Sequence, residues 1–595
     1  MIVAAGLFAF IFFLQRHPPG PVAGPRRVLP GLKASAVTNV QVRLGAQREI
    51  RAVRTNGAWQ LTEPVPVPYP AQAVSIESLL DALERLTPVT YITARELKDR
   101  PKADEQFGLE TPQATITFQQ PDYHALVQIG ARTAPGDQVF VGVAGVGGVY
   151  VVDAEFLKQL PRSANDWRDT TLLDLNALAF DRVAVTNGAK VFELRRDGAD
   201  KPWRMVYPFY PLPARANNPK IEECLQRLQN LRVQQFASDD PQPDLESFGL
   251  QPPALELALG QGTNTVTLLQ FGKSPTNDSR QIYARRLGQS AIVTVSADLL
   301  APWREKVNDF RDPHLLTLSE PVVCVEVRGE DDFSIQQQTN GTWRVLPKDF
   351  PADTDLVGDL LAKLSDMPIV EFVNDVVIAA DLPAYGLAPP ARQYLLKSAA
   401  TNSSAAPTNS LIVELDFGTN LAEKVFARRA DETFVYAVKA ADFHRLPAAG
   451  WQLRDRRIWN FTTNDVARLV IQQDGRTRQV NRNGPFSWSL AEGSNGIIND
   501  LAFEETVNEL GHLSAGAWTA RGEQSRARYG FTEKGHRFSV ELKSGEKLTV
   551  EFGAEAPSGF RYAAVTLDGG LWIFEFPPAL YQHVAGYLAI PVSGS

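Results

Sequence analysis

Apolar and polar residues alternate through Val40-Gln41-Val42-Arg43-Leu44, the period-two pattern of a strand with one buried face. Glu49 to Thr55 reads as a second strand, Asn56-Gly57 as a positive-φ hairpin turn, and Trp59 as the opening of the returning strand. Pro64 to Pro70 (PVPVPYP) lacks the donors a central strand needs and predicts an extended connector. The period then changes. Ile76, Leu79, Leu80, Leu83 and Leu86 recur at helical spacing, with Glu77, Asp81, Glu84 and Arg85 on the opposite side. Short β patterns follow at Thr115 to Phe118, Leu126 to Ile129, Val139 to Val143 and Val149 to Val152, and Phe156-Leu157 predicts a short closing helix.

This succession is repeated. An aromatic residue, a glycine and a hydrophobic residue meet in Phe107-Gly108-Leu109, Phe248-Gly249-Leu250, Tyr385-Gly386-Leu387 and Tyr529-Gly530-Phe531. The glycines lie roughly 140 residues apart, the size of an ordinary domain. Trp59, Trp203, Trp343 and Trp488 precede them, and Ile129-Gly130, Phe271-Gly272, Phe417-Gly418 and Phe552-Gly553 follow. The helical stripe returns as Ile221, Cys224, Leu225, Leu228 and Leu231, as Leu356, Leu360, Leu361 and Leu364, and as Phe503, Val507 and Leu510. Pro112, Pro252-Pro253 and Pro389-Pro390 follow the aromatic-Gly motif in three copies, which predicts an elbow with φ > 0 at the glycine. Asp166-Trp167-Arg168-Asp169, Asp309-Phe310-Arg311-Asp312 and Leu453-Arg454-Asp455 close the first three copies, where the Arg–Asp neighbours suggest a capping ion pair.

The expected architecture is α+β: four tandem domains, each an antiparallel sheet with one or two packed helices, behind a short N-terminal membrane anchor. The repeats are placed at 36–172, 173–316, 317–461 and 462–595, after an anchor at 1–15 and a Pro-rich linker at 16–35. The anchor rests on Ile2 to Leu14 (IVAAGLFAFIFFL), which carries no charge and is followed by Gln15, Arg16 and a proline-rich stretch. As a helix it spans only about 20 Å. No basic segment or small-residue cleavage site marks a signal peptide, so the run reads as the end of an anchor that begins upstream. The arginines behind it do not settle orientation, because an upstream basic segment would reverse the balance.

Composition changes this picture little. In 595 residues, 44% are hydrophobic and 22% charged, globular values, and the formal charge of −8 with no basic run argues against nucleic acid as a partner. Cys224 and Cys324 fall in different repeats at apolar positions and read as buried small hydrophobes.

Together the tryptophan strands with their prolines (Trp59-Gln60-Leu61 with Pro64, Trp343-Arg344-Val345 with Pro347), the Tyr-Gly-Leu-x-Pro elbow, the strand ends in Ile/Phe-Gly and the closing Arg-Asp resemble the bacterial domain-of-unknown-function family 4340. The N-terminal IFFLQRHPP is similar to the family's anchor end. The resemblance spans nearly the whole chain and weakens in repeat 4, which lacks the elbow proline and the Arg-Asp closure. It implies association with gliding-motility-type ABC transporter components, and it brings no catalytic residues.

No motif supplies chemistry. The seven histidines are scattered, Gly272-Lys273-Ser274 lacks the first glycine of a phosphate-binding loop, and Gly142 to Gly148 (GVAGVGG) suits a hairpin turn better than a dinucleotide fingerprint. Ser514 lacks the glycine of a nucleophile elbow, and Glu330-Asp331-Asp332 is too short for a calcium loop. The expectation is therefore no catalytic, cofactor or metal site. The protein is expected to be a non-catalytic accessory or adaptor of an ABC-type export system, held at the inner membrane with its bulk in the periplasm. Its expected partners are the membrane and the transporter's permease and ATPase. The alternative is a cell-envelope carbohydrate-binding protein or hydrolase.

Overall fold

The structure, a computed structural model, describes residues 27–100, 102–209, 212–318, 320–399 and 410–590. The expected anchor at 1–15 lies outside them. Among the described residues no helix is long and apolar enough to cross a membrane.

Each repeat is built on one large antiparallel sheet. In repeat 1 the strands are β1 (Asn39–Leu44), β2 (Ile50–Thr55), β3 (Ala58–Glu63), β4 (Tyr69–Pro70), β5 (Pro88–Thr93), β6 (Ala114–Gln120), β7 (Tyr123–Arg132), β8 (Gln138–Val143) and β9 (Gly148–Asp153). They are ordered β4-β3-β2-β1-β6-β7-β8-β9-β5, so the first four form a meander and β5 crosses to the far edge beside β9. Repeats 2 and 3 reproduce this order with nine strands each, and repeat 4 has eight because it lacks the counterpart of β4.

The fold is thus mostly β and not the expected α+β: four sheets of eight or nine strands stand against a helical content of 21%. Several of the expected elements take another form. The proline-rich connector contributes the two-residue edge strand β4, because Gln60 and Leu61 pair with Pro70 and Tyr69. The stretch Pro88–Thr93 carries no clean alternation and yet pairs along β9. The closing helix is a turn of 3-10 helix at Ala154–Gln159.

One twelve-residue helix per repeat covers one face of its sheet: α1 (Ala73–Glu84), α2 (Asn218–Gln229), α3 (Thr354–Ser365) and α4 (Asp500–Gly511). Ile76, Leu79, Leu80 and Leu83 of α1 are fully buried against Val40, Ile116, Val127 and Val141 in one core. In α3 the buried positions are Val357, Leu360 and Leu364, while Leu356 and Leu361 sit half-buried on its flanks. Val28, Leu29 and Leu32, ahead of residue 36, join the core of repeat 1. In repeat 4 a further helix, α5 (Pro578–Tyr587), replaces the closing 3-10 turn and buries Leu580 and Val584. The two cysteines are buried, and burial pushes the Cys224 thiol up to about 11.

The paired glycines explain why their spacing is held. Gly108, Gly249, Gly386 and Gly530 take φ of 67°, 66°, 65° and 74°, as an elbow requires. The carbonyl oxygen of the preceding aromatic, on Phe107, Phe248, Tyr385 or Tyr529, then lies directly on the second glycine. A Cβ on Gly130, Gly272, Gly418 or Gly553 would collide with it. The amide of the following residue takes up that oxygen, from Ala131 at 2.7 Å and from Lys273 at 3.0 Å. In repeat 3 the Thr419 hydroxyl also reaches it, at 3.2 Å. Reciprocally, a Cβ on Gly108 or Gly249 would stand 2.8 Å from those amide nitrogens. Gly272→Ala is expected to destabilise its unit by roughly 2–3 kcal/mol or more through steric overpacking. Urea unfolding followed by fluorescence measures it, and a loss of less than about 0.5 kcal/mol would contradict the lock.

The described chain forms two compact units, 1–311 and 312–595, each holding two sheets.

Candidate functional site

The motifs weighed in the sequence take structural places. Lys273 of Gly272-Lys273-Ser274 donates its amide to Phe248, and the glycine-rich run makes the turn between β8 and β9. Ser514 donates its hydroxyl to the His512 carbonyl, and Asp332 accepts the Gly329 amide within a turn. Among the described residues, no group of three or more His, Cys, Asp or Glu is placed to hold a metal.

In the first and third copies the closing arginine and aspartate take different partners. Each aspartate turns the chain locally: Asp169, Asp312 and Asp455 accept the amides of Thr171, His314 and Arg457. The arginine faces the other way. Arg168, 2% exposed, lies 5.3 Å over Tyr69 of its own repeat and 4.2 Å over Phe236 of repeat 2, and pairs with Asp239 of repeat 2 at 2.8 Å. In the second unit Arg454 lies 5.6 Å over Phe350 of repeat 3 and 4.6 Å over Trp572 of repeat 4, and pairs with Asp568 at 2.5 Å. Arg311, 2% exposed, lies 4.5 Å over Phe209. The backbone is stitched as well. Arg168 bridges to Ala71 behind it and Thr171 to Arg232 ahead, just as Arg454 bridges to Ala352 and Arg457 to Ser514. The expected capping ion pair is therefore an inter-repeat clamp.

A second constellation was missed in the sequence. In repeat 1 Arg54 lies 4.7 Å over Trp59 and pairs with Glu77 at 2.6 Å, while the indole N–H points to Glu77 at 3.4 Å. In repeat 2 Arg196 lies 4.5 Å over Trp203, whose indole donates to Glu222 at 2.9 Å. In repeat 4 Arg482 lies over Trp488, and the buried Glu504 accepts from both, at 2.7 and 3.1 Å. The glutamate is the fifth residue of each helix, a regularity that aligning the helix starts reveals. Repeat 3 carries Gln337 opposite Trp343 and Gly358 at the fifth helix position, with open space where its Cβ would be.

A third set lies on the sheet face away from the helix, beneath the elbow. Register aligns Thr115-Gln128-Gly142, Glu256-Gln270-Arg285, Gln393-Asp416-Arg428 and Arg537-Glu551-Ala564 across β6, β7, β8 and their counterparts. Arg285 donates to Gln270 at 2.8 Å, and Gln270 to Glu256 at 2.8 Å. Arg428 pairs with Asp416 at 3.2 Å, and Gln393 donates to Asp416 at 2.7 Å. Glu551 holds Arg537 at 2.6 Å and also Arg526. In repeat 1, where Gly142 replaces the arginine, a cavity of about 850 Å³ opens, floored by Gln128, Gly142 and Leu109. The sequence signal was a polar residue two places before each second glycine, in Gln128-Ile129-Gly130, Gln270-Phe271-Gly272, Asp416-Phe417-Gly418 and Glu551-Phe552-Gly553.

The sequence profile of a family described as "Domain of unknown function (DUF4340)" matches residues 59–210, 203–389 and 343–515. The chain belongs to the DUF4340 family. Each match begins at the tryptophan of one repeat and runs into the next, and those at 59–210 and 343–515 take in Arg168 and Arg454. No curated protein matches the chain.

Two changes test these constellations. Arg168→Ala should cost unit 1 roughly 1–3 kcal/mol, since it removes a buried cation from two rings and leaves Asp239 without its partner. Calorimetry should show the single transition of that unit broaden or divide, and an unchanged transition would count against the clamp. Gln337→Arg with Gly358→Glu should restore the missing set in repeat 3 and stabilise unit 2 by about 1 kcal/mol, mostly by removing a helix glycine. Denaturant midpoints that fall would show that the notch does not accept the pair.

Proposed function

We propose that this DUF4340 protein is a non-catalytic adaptor of a membrane export system, working on the extracytoplasmic side beside an ABC-type permease and ATPase. The observation that carries this reading is the use of the repeated side chains. The tryptophan sets bind internal partners and the closing arginines clamp neighbouring repeats, so what recurs is suited to holding a scaffold rather than to a reaction. A series of similar domains suits multivalent attachment, in which several weak contacts on one chain add to a firm one. The repeats differ from one another on the sheet face beneath the elbow, where an adaptor would carry its selectivity. The family resemblance supplies the transporter, and the apolar run Ile2 to Leu14 supplies attachment to the bilayer. Affinity purification of the full chain from detergent-solubilised membranes should recover an ABC ATPase and its permease. Recovery of neither, or ATP hydrolysis by the purified chain alone, would overturn the reading.

A further inference from the structure

The sheet position two residues before the second glycine receives a guanidinium in three of the four repeats. Arg285 reaches Gln270, Arg428 reaches Asp416, and Arg526 with Arg537 reaches Glu551. The arginines come from different places. Two stand on the counterpart of β8, one on the counterpart of β6, and one on the segment before the elbow. What is common is the destination, a side-chain oxygen on the counterpart of β7 beneath the elbow.

Repeat 1 has the destination without the donor. Gln128 occupies the same register position as Gln270, and among the described residues no guanidinium is bonded to it. Its neighbour on β8 is Gly142, where a Cβ would meet Leu109 and Gln128 only at ordinary contact distances of 3.5 and 3.6 Å. Gly142 and Gln128 line the cavity of about 850 Å³. Its rim bears Asp104, Glu105 and Glu110, together with Lys98, Arg100 and Lys102. Glu105 is paired with Lys102 at 3.5 Å, so Asp104 and Glu110 are the carboxylates that can meet a cation's charge, while Arg100 is exposed and its amide is tied to Leu97 in a turn.

We infer that the repeat 1 cavity receives the guanidinium of an arginine side chain from a partner protein. The amide oxygen of Gln128 accepts an N–H of it as Gln270 accepts the Nε–H of Arg285. The chain itself shows what fits: its sister repeats fill the equivalent place with their own arginine. Only guanidinium offers several N–H donors in one plane, so arginine is preferred there over lysine. The inference gives the proposed adaptor a point of grip. It also stands apart from that reading, because a small ligand would bind whether or not the partner is a transporter.

Saturation-transfer NMR on the full chain with N-acetyl-L-argininamide tests it. The wild-type chain should transfer saturation to the arginine side-chain protons, and more weakly to N-acetyl-L-lysinamide. Gly142→Arg, which fills the cavity from within, should abolish the signal, Gln128→Leu should reduce it several-fold, and Gln270→Leu should leave it unchanged. Circular dichroism would confirm that each variant is folded. Absence of transfer to the wild-type chain, or undiminished transfer to a folded Gly142→Arg chain, would overturn the assignment. Argininamide binding without co-purification of a transporter would sink the export reading alone.

Discussion

The carbonyl oxygen of the elbow aromatic comes down against a glycine Cα on the adjacent strand, and nothing larger than hydrogen fits between them. This contact does more than permit a turn. It fixes how far the elbow descends onto the sheet and presents the next amide to the oxygen. The two glycines are mutually dependent, since each leaves room for the backbone beside the other. Phe107 and Leu109 are thereby pressed onto Phe140 and Val149, making a small apolar cluster on the face that α1 does not cover. Both faces of the sheet thus gain a cover, although the chain spends only one substantial helix on each of the first three repeats.

Beyond the lock, the chain uses arginine in two further ways. One guanidinium lies on the tryptophan beside the helix, and another lies between aromatic rings of successive repeats. Arginine suits both places because its flat, weakly hydrated head stacks on a ring while its N–H groups still meet a carboxylate. Repeat 3 has neither the arginine nor the glutamate around Trp343. In repeats 1 and 4 the two charges meet each other, so either alone would there leave a charge without its complement.

Much of this was legible in the sequence. The period of the array, the tryptophan hairpin, the helix and the sign of φ at the elbow followed from patterns with local causes, namely alternation, Asn56-Gly57 and the glycine before a proline. The proportion of sheet was not legible. Tyr69–Pro70 and Pro88–Thr93 are strands only because distant partners, Gln60-Leu61 and β9, make them so. The destination of the closing arginine was equally hidden, since its neighbour in sequence was an aspartate and its partner in space lies on the next repeat. Patterns that recur at one register position but from different strands, such as Arg285 and Arg537, cannot be aligned until the pairing is known.

The placement of β5 has a consequence for biogenesis. It emerges before β6 but pairs only with β9, so the far edge of each sheet cannot close until the last strand of its repeat has been made. Such long-range pairing slows folding and leaves strand edges open to other chains in the interval. Arg168 then extends the wait into the next repeat, because Phe236 and Asp239 are synthesised later still. A nascent first repeat therefore carries an unmet cation at its C-terminal end until its neighbour arrives. The sheet edge of repeat 1 and its clamp are therefore completed at different times, the clamp only after part of repeat 2 exists.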